Sequence, residues 1–124
     1  MSIPMDKTKF EKMKKSFENC GGAIDSSLEI DRHLNFLDAD AATLNATTII
    51  IRHNIIPSAS AIFEELIHTA QYRTGRATGD NWVDMEIEAK EKLIRYQKQY
   101  GIADSENDIT KRQLAELLKF KQEV

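Results

Sequence analysis

The segment Thr43 to Ile51, Thr-Leu-Asn-Ala-Thr-Thr-Ile-Ile-Ile, is the one dense β-branched run in the chain, and it restricts the fold more than any other feature. β-Branched side chains suit the extended, packed surface of a sheet. Asn45-Ala46 supplies a turn within the run, so it reads as a β-hairpin whose second arm, through Ile51, is a buried strand. Ala23-Ile24-Asp25 is short enough to be an edge strand beside it. The rest of the chain follows helical periodicity, so the expected fold class is α+β: mainly helical, with a small β-hairpin or sheet.

The helices can be placed from their stops and faces. Phe10, Met13 and Phe17 recur at helical spacing between Asp6 and Phe17, with Lys7, Lys9, Lys12, Lys14 and Lys15 making a basic outer face, and Gly21-Gly22 ends the element. Ser26 or Ser27 caps a second helix with Ile30, Leu34 and Leu37 on one face, closed by Asp38 to Ala42. Pro57 with Ser58 or Ser60 opens a third that Gly75 stops. A fourth runs from Asp80-Asn81 to Tyr100, where Gly101 supplies a left-handed cap. The last begins at Asp108 or Thr110 and carries Leu114, Leu117, Leu118 and Phe120.

Composition excludes several classes of function. The 124 residues suit one domain, and 41% apolar content supports a core without staples. With 17 basic and 20 acidic residues the net charge is −3, so no global field favours nucleic acid. The single cysteine, Cys20, excludes a disulfide framework. No run approaches the roughly 20 apolar residues of a membrane span, and Met1 to Met5 lacks an apolar signal core, so the chain reads as cytoplasmic and not membrane-bound. A domain cut from a longer secreted protein would read the same way.

Chemistry concentrates in the Pro57 to Gly75 helix. On a helical wheel Ala59, Ile62, Phe63, Leu66, Ile67 and Ala70 share the core face, whereas Glu64, Glu65, His68, Gln71 and Tyr72 occupy the opposite one. Glu64 and His68, four residues apart, are placed to put a carboxylate oxygen and an imidazole nitrogen on one ion. In the next helix, with Trp82, Met85, Ala89, Leu93, Tyr96 and Tyr100 turned inward, Glu86 falls on the same side. An ionised carboxylate in an apolar stripe requires a partner, for which His68, Arg73 and a shared metal ion are the candidates. Glu88 and Glu91 fall on the solvent side. His53, just after the buried strand, is a further candidate ligand, while surface exposure accounts for His33. Taken alone, Glu64 and His68 are better explained as a solvated ion pair; the strand-turn-helix order before them and the inward Glu86 point toward a metal.

Glu64-Glu65-Leu66-Ile67-His68 resembles the His-Glu-x-x-His helix of zincin metallopeptidases, with Glu64 in place of the first histidine. The wider run Glu64 to Gly75, with Ile49 to Ile51 and Pro57-Ser58 before it and Glu86-Ile87-Glu88-Ala89 after it, resembles zincin-like domains of bacterial polymorphic toxins. That resemblance implies Zn2+, or another divalent ion, on Glu64, His68 and Glu86, with Glu65 as general base. Tyr72, one turn on, is placed either to stabilise an oxyanion or to make a simple amphipathic contact. The implied substrate is an extended polypeptide beside the edge strand, and the implied context a toxin or effector within a larger carrier. Two other readings stand beside it: a metal-free zincin-like binding or regulatory module, phage- or element-encoded, and a non-peptidase enzyme using Glu64 and Glu65 as paired carboxylates.

Overall fold

The computed structural model describes residues 3–123; Met1, Ser2 and Val124 lie outside the described residues. Along the chain come α1 (Lys7–Asn19), β1 (Ala23–Asp25), α2 (Leu28–Leu37), β2 (Ala41–Thr43), β3 (Thr48–Ile51), α3 (Ala59–Arg73), α4 (Trp82–Arg95), the single turn α5 (Gln97–Tyr100) and α6 (Asp104–Glu123). The fold is mainly helical α+β. Among the described residues no helix is long and apolar enough to cross a membrane.

The isoleucine run is the central strand of a three-stranded mixed sheet of order β1-β3-β2, with β1 parallel and β2 antiparallel to β3. Both faces of β3 are covered, which is why its sequence shows no polar alternation. Ile49 and Ile51 point to one side and join Phe10 of α1, Ile24 and Ile62 of α3 in a core. Ile50 points the other way by alternation, toward α2, whose Leu34 is fully buried. β1 is an edge strand, as its short sequence suggests.

The hairpin differs from its sequence reading at its first arm. Ala41 and Ala42 are strand residues, paired with Ile51 and Ile50, and do not close the preceding helix. Alanine favours helix, so nothing local marks these positions as extended. The helix ends earlier because Asp38 takes a left-handed conformation (φ 52°) that returns the chain toward β3. Asn45 supplies the turn: its side-chain oxygen accepts from the Thr47 N–H and hydroxyl, at 2.9 and 3.0 Å.

A second core lies between α3 and α4, where Ala59 and Ile67 meet Ala89, Leu93 and Ile102, and Phe63 stacks on Tyr100 with ring centroids 4.3 Å apart. The helix read as continuous to Tyr100 breaks at Tyr96, and Gly101 (φ 67°) provides the expected left-handed cap after α5. The last helix starts at Asp104, earlier than Asp108. Its first turns bury Glu106, Asn107 and Thr110, polar residues that the apolar periodicity could not register. α6 then packs along α4. Trp82, expected inward, is 53% exposed and meets Phe120 of α6 at 5.8 Å.

Candidate metal centre

Helix α3 is held in place at its start. The Ser58 hydroxyl accepts from the Ala61 N–H at 3.1 Å, satisfying one of the unpaired donors of the first turn, and the Met5 N–H donates to the Pro57 carbonyl. From this anchor the helix runs between the sheet and α4, so its polar face is not a solvent face. Glu65, Thr69 and Gln71 are buried alongside Ala59, Ile62 and Ile67. The face expected to oppose the core borders a cleft of about 340 Å3 between β2, α3 and the start of α4.

Into this cleft the structure brings Glu64, Glu65, His68 and Tyr72 from α3, and Glu86 from α4. One donor atom each from Glu64, His68 and Glu86 lies within 4.8 Å of the other two. Ligands on a tetrahedral zinc ion sit roughly 3.3 Å apart, so the three donors would have to draw closer together to hold one. His68 Nε2 is 3.1 Å from a Glu86 oxygen, so His68 is the partner the inward carboxylate required. His53 is elsewhere: it is exposed, its Nδ1 2.9 Å from the Ser26 carbonyl oxygen, and it takes no part in the cluster.

The other imidazole nitrogen is fixed. His68 Nδ1 lies 2.8 Å from Gln71 Oε1, and the Gln71 amide nitrogen donates to the Met85 carbonyl and to Glu88, both at 3.0 Å. These donations settle which end of the amide faces the ring, so Gln71 accepts from Nδ1–H and Nε2 is left toward the carboxylates. An imidazole metal ligand is commonly oriented by such an acceptor on its second nitrogen. Glu88, expected in solvent, is half-buried here, held by Gln71 and by an ion pair with Arg76.

Charge within the cluster is balanced by two internal cations. The Lys90 ammonium pairs with Glu64. Burial opposes the imidazolium of His68, but hydrogen bonds to Glu86 and Gln71 and the Glu86 charge outweigh it and raise its pKa to about 9. Glu86 is pulled below the usual carboxylate range, since the same hydrogen bond and charge overcome its burial. For Glu65, burial and then the Glu64 charge push the pKa up to about 7. The Thr43 hydroxyl sits 2.9 Å from both Glu65 Oε1 and the Glu65 carbonyl oxygen, tying the carboxyl group to β2.

β2 is an edge strand on the cleft. Leu44 N–H donates to the Thr48 carbonyl, so by antiparallel alternation Ala42 bonds across to β3, while the backbone groups of Ala41 and Thr43 point away from it. Tyr72 lies exposed on the rim.

Three comparisons of the chain, with family models, with curated proteins and with solved structures, find no match. Function therefore rests on the helix motif and on the geometry of this site.

Thr43 and Lys90 escaped the sequence reading. Lys90 stands one helical turn past Glu86, a spacing that can be read from the sequence, but its partner is 26 residues away on another helix. Nothing local links Thr43 to Glu65.

Proposed function

We propose that this chain is a zincin-like, metal-dependent hydrolase of polypeptides. The observation that carries the reading is the convergence of Glu64, His68 and Glu86 donor atoms within 4.8 Å at a cleft that also holds the buried Glu65. The donor set fits a divalent cation: one imidazole with its second nitrogen oriented, and two carboxylates on separate helices. When bound, such an ion supplies Lewis acidity to a substrate carbonyl and to water.

The chain's own residues supply the remaining requirements. With one Glu65 oxygen held by Thr43, the other is left to take a proton from water and return it to the leaving amine. Burial, the largest cause of its raised pKa, keeps this carboxyl group above the usual carboxylate range, which favours both transfers. Tyr72 on the rim is positioned to donate to a developing oxyanion. An extended polypeptide would add to the β2 edge through the backbone of Ala41 and Thr43, setting a peptide bond over Glu65. The sequence resemblance extends this to an effector or toxin carried by a larger protein.

A second reading, a metal-free binding module, is favoured by one observation: Lys90 and the His68 imidazolium already neutralise Glu64 and Glu86. A Glu65→Gln variant separates the two. Under the hydrolase reading it retains zinc and loses peptide hydrolysis. If the native chain takes up no zinc and cleaves no unfolded polypeptide, the binding module is the better account.

A further inference from the structure

Lys90 is a nearly buried cation, 8% exposed, standing where a metal site should not want one. It lies one turn past Glu86 on α4, and its ammonium is on the carboxylate of Glu64. It therefore sits beside both carboxylates of the donor set. A resident ammonium and an incoming dication compete for the same negative charge, and in a partly desolvated site that competition is strong.

On the far side of the Glu64–Lys90 pair lies a second hollow, of about 300 Å3, lined by Glu64, Lys90, Ser58, Thr110 and Glu106. Glu106, 9% exposed, comes from the first turns of α6. Among the described residues its carboxylate has no ion-pair partner. Glu106 thus opens on the same hollow as Lys90, where its unpaired carboxylate offers a flexible lysine a second seat. Lysine suits such a role, being a point charge on a four-carbon stem with several rotatable bonds.

We propose that Lys90 is a latch on the metal site, holding Glu64 in the metal-free protein and swinging into the adjoining hollow to pair with Glu106 when a divalent cation takes its place. The inference rests on the metal-site reading above. Metal affinity is then set by an exchange between two cations on Glu64, and α6, otherwise a packing helix, takes part in it through Glu106.

The test is a competition titration of the full-length chain with zinc against a chromophoric chelator. Lys90→Met, which keeps length and removes charge, should bind zinc about tenfold more tightly or better, because no ammonium has to be displaced. Lys90→Arg keeps the cation and should stay at or below the native affinity. Glu106→Gln removes the second seat and should weaken zinc binding severalfold while leaving the Glu64–Lys90 pair intact; it keeps the test open if Lys90→Met fails to fold. A purely structural ion pair gives the opposite sign, since its loss loosens the site and weakens binding. Zinc affinity of Lys90→Met equal to or below native, or of Glu106→Gln unchanged, overturns the latch. No zinc binding by the native chain or any of these variants removes the metal site itself, and the latch with it.

Discussion

Two side chains at the cleft, Glu65 and His68, have protonation states set by identifiable neighbours, and each makes a residue-scale claim that can be measured. Glu65 is buried, repelled by Glu64 and held by Thr43, which suits it to proton transfer. Glu65→Gln keeps the hydrogen bond from Thr43 and removes the base. Hydrolysis of an unfolded polypeptide should fall by about 10²–10⁴-fold, with zinc content unchanged. His68 gives a pH signature in the metal-free protein. Its imidazolium is favoured in the fold, with the pKa raised from 6.5 to about 9. Its contribution to stability is therefore complete below pH 6.5 and lost as pH rises through 9, up to about 3 kcal/mol across that window. Glu65 acts in the same direction at lower pH, because the neutral acid favoured by the fold is lost between 4.5 and about 7. Urea unfolding in the presence of chelator should show stability falling from pH 7 to 9. In His68→Gln that fall should flatten; an unchanged slope would assign it to another group.

Among the elements, α3 carries the site and Gln71 joins it to α4. Gln71 is 1% exposed and bonds to His68, to the Met85 carbonyl and to Glu88. Gln71→Ala should therefore destabilise the chain by about 1–3 kcal/mol. It should also weaken zinc binding by about 10- to 100-fold, through loss of imidazole orientation. Equal zinc affinity in native and variant chains would mean that Gln71 only packs. Most of this helix was legible beforehand: Pro57-Ser58 marked its start, Gly75 its stop, and the four-residue spacing of Glu64 and His68 their shared face. Glu86 could be found because a carboxylate in an apolar stripe stands out on a helical wheel. What stayed hidden depends on contacts distant in sequence. Ala41 and Ala42 become strand because β3 pairs with them. Glu106, Asn107 and Thr110 are buried by neighbours across α6, and Trp82 is turned outward to meet Phe120. The core face of α3 was legible, with Ala59, Ile62, Phe63, Leu66 and Ile67 in the cores; that β2 and α4 also cover its polar face was not, because no local pattern announces cover from distant elements.

For the whole molecule, the two cores meet at α3, so packing against α4 holds Glu86 opposite His68. Leu93, buried at the centre of the α3–α4 core, is where that alignment is most exposed to mutation. Leu93→Ala should cost about 2–5 kcal/mol of stability, measured by denaturant unfolding. It should also weaken metal binding by letting α4 shift, although Leu93 is not a ligand; a folded variant with native zinc affinity would show that the two helices are aligned by other contacts. The metal site remains the claim on which the proposed function stands. Elemental analysis of the purified full-length chain beside His68→Ala, after exchange into buffer free of chelators and resin-derived metal and supplementation with zinc, tests it most directly. The account predicts about one equivalent of zinc in the native chain and none in the variant. No zinc in either, or equal zinc in both, would contradict it.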